Sequence, residues 1–513
     1  MVESRVMKLA ELAEAVAGVQ VLGDRSTPVR GLAYHTDEVG PGSLFFCVRG
    51  IRSDGHEFAG RAAAAGAAAL VCDHPVEPAL PQVIVPSTRR ALALMAARWF
   101  GDPSRELLVA GVTGTNGKTT TTHLVAGICA AGGRPCALLG TVVNRIGGRD
   151  HDVKLTTAES YDLQRMFREM VAAGDQACAL EISSHALVLD RAVGIDFDAV
   201  VFTNLTRDHL DFHSDLDDYF AAKRRLFLPD DERNGRAVAI VNVGDAYGRS
   251  LAADCRAPYG EDLWTYAVEP ASPAGDVAPV AAAHDLDLRA DGTSFTLVVP
   301  SLGIEERLHT RLAARFNVEN ALAAATTALA LGVPLSAVRE GLATTNGVPG
   351  RFEAVRAGQP FAVVVDYSHT PDSLENALKA ARAVCDGRVL VVFGCGGDRD
   401  RGKRPLMGAI GARLADRAVV TSDNPRSEDP AAIIAEIVAG VPHELLGGLV
   451  VEPDRRAAIA LALTEARPGD LVLIAGKGHE QGQTIGTRKI PFDDRVVASE
   501  LLGELVGGYE RYA

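Results

Sequence analysis

The sequence predicts an α/β protein of three domains, and three observations support this fold class. Short apolar runs alternate with helical stretches along all 513 residues. A glycine-rich loop joins one such run to a helix, and four later runs each end in a polar or glycine-rich cluster. Alternation of this kind is typical of parallel sheets with helices between the strands. The length alone suggests three or four domains.

Turn-like sequences divide the chain into three sections. Residues 1–102 predict a small N-terminal α/β domain that closes at the turn 101–104. Its apolar runs are 44–48, 68–72 and 83–85. Residues 103–345 contain the glycine-rich loop and predict a central parallel-sheet domain. Residues 346–513 alternate again and predict a Rossmann-like C-terminal domain.

The stretch GVTGTNGKTT, residues 111–120, indicates a phosphate-binding loop. An apolar run precedes it, and a helix that follows is ended by glycines 132–133. At such a junction free N–H groups and the helix dipole favour an anion. Lys118 would supply charge for the phosphates and Thr119 a hydroxyl for Mg²⁺. The strict G-x-x-x-x-G-K-[ST] pattern requires glycine where Val112 stands, so we expect a variant loop rather than an ordinary turn.

The C-terminal section places polar residues after four buried runs. In an open parallel sheet, ligands bind at the carboxyl ends of the strands. An ordinary loop would explain any one cluster, but four in succession favour a binding site. The clusters are residues 366–369, 394–399, 422–426 and 476–480.

Candidate metal ligands follow two strands of the central section. The run 177–182 carries Glu181, and His209 comes shortly after the run 199–203. Carboxylate groups at strand ends beside a phosphate loop are natural Mg²⁺ ligands. Each residue alone is better explained as structural, but their joint placement favours a metal site.

Lys223 lies in a predicted helix, 217–227, among apolar neighbours. The residues three and four positions away are Tyr219, Phe220, Leu226 and Phe227, on the same face. Burial would lower the pKa of its amine, and a neutral amine can react with CO₂ to give an anionic carbamate. A lysine that snorkels to the surface is the alternative, and the residues alone favour it.

Bulk properties exclude several classes of protein. The formal net charge of −14 argues against a nucleic-acid partner. The eight cysteines show no C-x-x-C spacing, which argues against zinc and a disulfide framework. The N-terminus carries acids where a signal peptide needs an apolar core, and no apolar run is long enough for a membrane. We therefore expect a cytoplasmic protein without membrane partners, acting as a monomer.

Six motifs, in order, are similar to those of a known family. They are GTNGKTT at 114–120, EISSH at 181–185, TNLTRDH at 203–209, FNVEN at 316–320, GRFE at 350–353 and DYSHTPD at 366–372. Together they resemble the Mur ligases, ATP-dependent amide-bond enzymes of peptidoglycan synthesis, over most of the chain. Phosphate loops of this family carry T-G-T-N-G-K-T, which accounts for the displaced glycine.

The resemblance implies an enzyme with a uridine-binding N-terminal domain, a central P-loop ATPase-like domain and a C-terminal amino-acid domain. It implies ATP-dependent addition of meso-2,6-diaminopimelate to UDP-N-acetylmuramoyl-L-alanyl-D-glutamate through an acyl phosphate. Arg426 favours diaminopimelate over L-lysine, because a planar cation matches the extra carboxylate. The alternatives are a sibling ligase for L-lysine or D-Ala-D-Ala, a folylpolyglutamate synthetase, and a phosphate-loop ATPase that acts as a switch.

The resemblance also implies roles for individual residues. The catalytic residues would be Lys118, Glu181, His209 and Lys223. Two Mg²⁺ ions would be held by Thr119, Glu181, His209 and a carbamate on Lys223. ATP would contact Gly114, Thr115, Asn116, Gly117, Lys118, Thr119, Thr120, Asn317, Arg351 and Asp366. The UDP-peptide would contact Thr36, Thr156, Thr157, Ser183 and Arg191. The incoming amino acid would contact Arg399, Asp423, Asn424, Arg426, Gly476 and Glu480.

The chain departs from the family pattern at several positions. His35-Thr36-Asp37 stands where relatives carry a D-S-R-like motif, so an acid replaces an arginine. We expect uridine binding to persist through backbone amides and the Thr36 hydroxyl. Leu189 stands where relatives place a glutamine, Ala314 replaces a frequent glycine and Ser368 replaces alanine.

Overall fold

A computed structural model describes residues 5–50, 53–77, 79–210, 212–228, 237–269, 279–289, 292–345 and 347–509. The chain forms two compact units. The first comprises Met1–Thr113, Arg134–Val200 and Ala221–Val238; the second comprises Gly114–Gly133, Val201–Phe220 and Ala239–Ala513. Asn346, at the predicted start of the third section, lies outside the described residues.

Strands and short helices alternate in the first part of the chain, as predicted. The strands are β1 (Met7–Lys8), β2 (Gln20–Leu22), β3 (Pro28–Val29), β4 (Gly31–Ala33), β5 (Ser43–Phe46), β6 (Ala67–Cys72), β7 (Gln82–Ile84) and β8 (Leu108–Thr113). The helices are α1 (Leu9–Ala13), α2 (Ala59–Ala64) and α3 (Thr88–Phe100). Short 3₁₀ helices are Thr36–Glu38, Gly55–Phe58 and Pro103–Glu106.

The middle of the chain contains the glycine-rich loop and, near its end, three consecutive antiparallel strands. The helices are α4 (Lys118–Ala131), α5 (Ser160–Ala173), α6 (Ser184–Val188), α7 (Leu216–Arg224), α8 (Ala246–Tyr259), α9 (Arg315–Ala330) and α10 (Leu335–Thr344). The strands are β9 (Cys136–Leu139), β10 (Asn144–Ile146), β11 (Arg149–His151), β12 (Ala177–Glu181), β13 (Ala199–Phe202), β14 (Val238–Asn242), β15 (Leu263–Val268), β16 (Ala281–Arg289), β17 (Gly292–Val299) and β18 (Ile304–Thr310).

The last part of the chain returns to strand–helix alternation. The strands are β19 (Glu353–Ala354), β20 (Ala362–Asp366), β21 (Val389–Phe393), β22 (Arg417–Val420), β23 (Leu449–Val451), β24 (Leu471–Ala475), β25 (Gly482–Ile485) and β26 (Arg488–Pro491). The helices are α11 (Pro371–Ala383), α12 (Lys403–Leu414), α13 (Pro430–Val438), α14 (Arg455–Glu465) and α15 (Asp494–Tyr509).

In the first unit, a five-stranded sheet of order β2-β7-β6-β5-β4 forms the predicted small α/β layer. Its neighbouring strands are parallel except for the β2–β7 pair. Buried residues alternate between its faces: Leu44 and Phe46 pack with α1 and α3, whereas Phe45 packs with α2. The same unit also contains β8, β12 and β9 as parallel neighbours.

In the second unit, the predicted Rossmann-like sheet has the order β19-β20-β24-β21-β22-β23. All its pairs are parallel except β19–β20. Side chains of each strand alternate between two cores; Val391 and Leu473 pack with α11 to α13, and Val392 and Ile474 pack with α14 and α15. Because both faces are covered, the strands are apolar throughout, and the four predicted clusters follow the carboxyl ends of β20, β21, β22 and β24.

Strand β16 begins an antiparallel meander with β17 and β18 in the second unit. Its exposed positions alternate with buried ones, which is typical of a sheet with one solvated face. Of the residues that the structure describes, none forms a helix long and apolar enough to cross a membrane.

Ala314 occupies a backbone conformation that favours glycine. Its φ is 84° and its ψ 148°, at the N-cap of α9. An alanine in this region costs roughly 1–3 kcal/mol, and glycine would recover most of that at a cost of about 0.5–1 kcal/mol in unfolded-chain entropy. Ala314→Gly should therefore raise the free energy of unfolding by about 1 kcal/mol, measured by calorimetry.

The neighbouring Ala313→Gly serves as the control, because Ala313 is buried and is not among the residues of positive φ. It should lower the melting temperature. Equal effects of the two substitutions would contradict the assignment of strain to Ala314.

Candidate functional site

The glycine-rich loop joins β8 to α4, as predicted. Val112 is fully buried within β8, so a glycine at this position would lie in the strand rather than in the turn. The turn begins at Gly114 (φ 149°) and ends at Gly117 (φ 85°), the N-cap of α4. A Cβ on Gly114 would overlap Thr203 Oγ1, and one on Gly117 would overlap Asn320 Oδ1. Because β8 continues to Thr113, the turn contains only the residues from Gly114 to Gly117, and the loop is short.

Residues that follow β13 support this loop. Asn204 Oδ1 accepts the Asn116 N–H at 2.9 Å, and Thr203 Oγ1 donates to the Asn116 carbonyl at 2.6 Å. Thr115 Oγ1 accepts the N–H of Thr206 at 3.0 Å. The side chains of the TNLT segment thus fix the loop, which presets the N–H groups at the start of α4 for an anion.

Lys118 folds back over its own loop. Its ammonium donates to the carbonyls of Gly114 at 2.9 Å and Thr115 at 2.8 Å. The neighbouring Thr119 is buried, and Arg351 donates to its hydroxyl at 3.4 Å. The second unit therefore brings two cations and a hydroxyl to the N-terminus of α4, an arrangement suited to phosphate oxygens.

Two other residues predicted to contact ATP are engaged with neighbouring protein groups. Asn317 is buried and accepts a hydrogen bond from Asn320 at 3.0 Å. The Asp366 carboxylate accepts the backbone N–H groups of Phe352 at 2.7 Å and Ser368 at 2.9 Å. Both shape the backbone around the site, and their contacts to ATP stay predictions.

Asp208 remains ionised despite its burial. Burial opposes ionisation, but the neighbouring His209, His369 and Lys118, together with a hydrogen bond from the His209 N–H, outweigh it, so the pKa of Asp208 lies below its ordinary value. Burial also lowers the pKa of His369. His209 has a φ of 55°, uncommon for a residue with a side chain. A carboxylate and a histidine with an unusual backbone conformation thus lie together in the second unit.

Glu181, in the first unit, ends β12 and is fully buried. Its carboxylate accepts the Thr141 N–H at 2.8 Å and the Thr141 hydroxyl at 3.1 Å. The same hydroxyl lies 3.1 Å from that of Thr156, and the Thr157 hydroxyl donates to the Glu181 carbonyl at 2.8 Å. The two bonds from Thr141 fix the orientation of this carboxylate.

The predicted UDP-peptide residues, with one exception, are connected to Glu181 through hydrogen bonds. The Ser183 N–H donates to Thr157 Oγ1 at 3.1 Å, and Arg191 donates to the Thr157 carbonyl at 3.2 Å. Glu159, which sequence reasoning missed, pairs with Arg191 at 2.8 Å. Thr36 is half-buried at the start of a 3₁₀ helix, and no recorded contact of the described residues joins it to the others.

Lys223 is buried, as the family resemblance implies, and not at the surface as the residues alone favour. Only 1% of the residue is exposed, and Leu226 and Phe227, three and four positions on, are also buried. This excludes a lysine that snorkels to solvent. Burying an ammonium is costly unless it is compensated, so the environment is compatible with a carbamate, which stays a prediction.

Arg426 follows β22 with a φ of 51°, another conformation rare for residues other than glycine. Its N–H donates to the Thr484 carbonyl at 3.0 Å, and its guanidinium donates to the Gly397 carbonyl at 2.7 Å. Glu428, close in sequence, pairs instead with buried Arg404 at 2.8 Å, which lowers the pKa of Glu428 to about 2. Arg426 is thus half-buried, and it forms no ion pair with the nearby Glu428.

The other residues predicted to bind the amino acid lie near Arg426. A Cβ added to Gly396 would lie 2.8 Å from the Arg426 guanidinium and 3.9 Å from Arg399 Cγ. A Cβ on Gly476 would lie 2.7 Å from Asp423 Oδ2. Close packing of backbone and polar side chains therefore brings together the ends of β21, β22 and β24, as the sequence predicts.

Sequence reasoning missed a buried cation in this cluster. Lys477 is fully buried and contacts both Asn424, at 3.2 Å, and Glu480, at 3.1 Å. Asn424 in turn donates to Glu480 at 2.7 Å. The signal was present in the sequence, because Lys477 stands between two glycines directly after the apolar run of β24.

Asp372 was also missed as a functional candidate. Its carboxylate accepts hydrogen bonds from Asn116 at 3.3 Å and Thr206 at 3.0 Å. It therefore links the first turn of α11 to the phosphate loop and its support. The motif that contains Asp372 was noticed, but local spacing does not reveal a partner more than 160 residues away.

One group of described residues has metal-ligating atoms close together, outside the predicted sites. His56, Asp73 and His74 have ligand atoms within 4.8 Å of one another. His56 also pairs with Asp54 at 2.5 Å, and Arg49 lies 3.1 Å from Asp73. Because the Arg49 guanidinium already neutralises the acidic side chains and would repel a metal ion, this cluster is best explained as an ion-pair network.

Family comparisons match three parts of the chain. The model of the Mur ligase family catalytic domain matches residues 28–100, the Mur ligase middle domain matches 112–328, and the Mur ligase glutamate ligase domain matches 350–478.

Full-length relatives carry one shared name. A protein of Geobacillus thermodenitrificans named UDP-N-acetylmuramoyl-L-alanyl-D-glutamate--2,6-diaminopimelate ligase is 45% identical, over 97% of this chain and 100% of its own. One of Geobacter metallireducens with the same name is 43% identical, over 97% and 99%.

A solved structure with that name is 31% identical, with a TM-score of 0.72 over 98% of this chain and 100% of its own. MurF from Acinetobacter baumannii, 18% identical, has a TM-score of 0.64 over 99% and 100% of the two chains and shares the fold.

Proposed function

This chain belongs to the Mur ligase family, and from that premise we propose that it joins meso-2,6-diaminopimelate to UDP-N-acetylmuramoyl-L-alanyl-D-glutamate at the expense of ATP. The names of its full-length relatives support this reaction. The observation that carries the choice of amino acid is Arg426, half-buried beside Arg399 in the strand-end cluster. A guanidinium recognises a carboxylate through two parallel hydrogen bonds.

The reaction needs activation of a carboxylate. An oxygen of the D-glutamyl carboxylate attacks the γ-phosphorus of ATP, a new O–P bond forms, and ADP leaves. The amine of the amino acid then attacks the acyl carbon, the C–N bond forms, inorganic phosphate leaves with the C–O electron pair, and a proton is released. Lys118 and Arg351 would neutralise charge on the moving phosphoryl group.

The proposed Mg²⁺ ligands have suitable chemistry. Glu181 offers a carboxylate and Thr119 a hydroxyl, which are the oxygen ligands that Mg²⁺ prefers, and His209 would add an imidazole nitrogen. A carbamate on Lys223 would add further oxygens. When bound, Mg²⁺ would screen the phosphate charges. Thr141 already orients the Glu181 carboxylate.

We also propose that three domains divide the work: 1–102 binds the uridine end, 103–345 binds ATP and 346–513 binds the amino acid. Each family match falls inside one of these sections. The enzyme would act as a monomer in the cytoplasm, which supplies nucleotide-linked precursors and ATP.

The test is ADP release with UDP-N-acetylmuramoyl-L-alanyl-D-glutamate and one of three acceptors: meso-diaminopimelate, L-lysine or D-Ala-D-Ala. We expect turnover with diaminopimelate alone. Comparable turnover with lysine would indicate a sibling ligase. ADP release that needs no muramoyl peptide would instead favour a phosphate-loop ATPase.

The unusual His35-Thr36-Asp37 stretch provides a prediction for the uridine end. Asp37 is exposed in the 3₁₀ helix Thr36–Glu38. Because this end of the substrate is remote from the reacting carboxylate, Asp37→Arg should lower KM for the UDP-peptide several-fold and leave kcat unchanged. An unchanged KM would mean that Asp37 does not face the ligand. KM for ATP is the internal control.

A further inference from the structure

Lys477 is a buried cation that the proposed reaction does not use. It lies between β24 and β25 and is fully buried. Its ammonium donates to Asn424 Oδ1 at 3.2 Å, to Glu480 Oε2 at 3.1 Å and to the Gly482 carbonyl at 2.7 Å. An ammonium has three N–H groups and no acceptor. These three hydrogen bonds use all three N–H groups, so Lys477 orients neighbouring protein groups and does not bind a ligand.

The contacts of Lys477 fix the orientation of the Asn424 amide. Asn424 Oδ1 also accepts the Thr484 N–H at 2.9 Å. Both neighbours can only donate, so the amide oxygen must face them, and a flipped amide would set an N–H group against an ammonium. The Asn424 nitrogen therefore points the other way, with one N–H donated to Glu480 at 2.7 Å.

The same contacts set the polarity that the cluster presents. Glu480 Oε2 is shared by Lys477 and Asn424, whereas Oε1 has no recorded bond among the described residues. The second N–H of Asn424 likewise has no recorded acceptor within that part of the chain. An amide donor therefore lies beside a carboxylate oxygen, a pair that complements a ligand with a carboxylate next to an ammonium.

Lys477 also connects the hairpin β25–β26 to the chain that carries Arg426. It anchors Gly482, at the start of β25. Two residues later the Thr484 carbonyl accepts the Arg426 N–H at 3.0 Å, and the Gly486 N–H donates to the Arg426 carbonyl at 2.7 Å. These bonds hold the Arg426 backbone in its left-handed conformation, from which the guanidinium reaches the Gly397 carbonyl at 2.7 Å.

We infer that Lys477 is a positioning residue that sets the amino-acid specificity of this site by orienting Asn424, Glu480 and Arg426. The inference rests on the proposed function and deepens it. Recognition of the distal carboxylate and ammonium of the amino acid then depends on side chains arranged around one buried cation, Lys477.

The test is Lys477→Met, which keeps an unbranched side chain only one heavy atom shorter and removes the three donors. Outer partners of metal ligands typically contribute 10–100-fold, and by analogy KM for diaminopimelate should rise about 10- to 100-fold. KM for ATP and for the UDP-peptide should stay within twofold, and the preference for diaminopimelate over L-lysine should narrow. Lys477→Arg keeps the charge but not the geometry, and replaces the methionine variant if that fails to fold.

Asp470→Asn is the matched control. Asp470 is buried at the other end of β24, where it pairs with Arg388 at 2.7 Å. This substitution should lower the melting temperature without changing KM for diaminopimelate. A parallel rise of all three KM values in the Lys477 variants, or no rise at all, would overturn the inference. Wild-type enzyme inactive with diaminopimelate would refute the proposed function instead.

Discussion

Arg426→Ala should lower kcat/KM for meso-diaminopimelate by roughly two to three and a half orders of magnitude. Removing one partner of a buried ion pair costs roughly 3–5 kcal/mol, and about 1.4 kcal/mol corresponds to one decade. The distal carboxylate of diaminopimelate would lose its planar cation, while alanine at φ 51° adds little strain that arginine does not already carry. Steady-state kinetics with diaminopimelate and L-lysine on both enzymes provide the measurement.

Arg401→Ala is the control for this prediction. Arg401 is exposed and pairs with Glu436 in the same region of the second unit. Its loss should leave kcat/KM unchanged. Lysine should be a poor substrate for the wild type, because it leaves Arg426 without a carboxylate, and for the mutant, which gains no lysine site. An unchanged preference in Arg426→Ala would refute the role of Arg426.

Much of the fold was predictable because its strands are short, apolar and covered on both faces. The runs that end at Asp366, Phe393 and Ala475 correspond to β20, β21 and β24. Polar residues directly after such parallel strands meet at one sheet edge, so a ligand site there could be predicted from the runs, whereas its assignment to the amino acid came from the family resemblance. Helical spacing placed apolar side chains around Lys223, but it favoured a snorkelling lysine, and only the family resemblance favoured the burial that is observed.

Contacts between distant segments were not predictable. The Lys477 bonds to Asn424 depend on how the hairpin β25–β26 lies against the chain after β22, and no local pattern encodes this. The link from Asp372 to Asn116 joins residues 256 positions apart. The meander β16 to β18 was missed as well, because its partly exposed strands lack the continuous apolar runs of the parallel sheet.

Lys223→Ala should abolish most activity while the enzyme still folds and binds ADP. If a carbamate on Lys223 helps to hold Mg²⁺, its loss removes charge stabilisation worth several kcal/mol, or about two to four decades in kcat. Lys223 is buried in α7, where a carbamate anion would need an opposite charge, and Mg²⁺ would supply it. Single-turnover and steady-state rates, together with ADP affinity, measure the effect.

Direct detection of the carbamate separates this role from a structural one. Wild-type enzyme in ¹³C-bicarbonate should show a carbamate carbon signal by NMR that disappears in Lys223→Arg, which keeps the cation but cannot react with CO₂ at neutral pH. Arg224→Ala, an exposed change on the same helix, should keep both the signal and the rate. Because only the neutral amine reacts, the signal and kcat should fall together as the pH is lowered or CO₂ is removed. Full activity without the signal would leave Lys223 with a structural role alone.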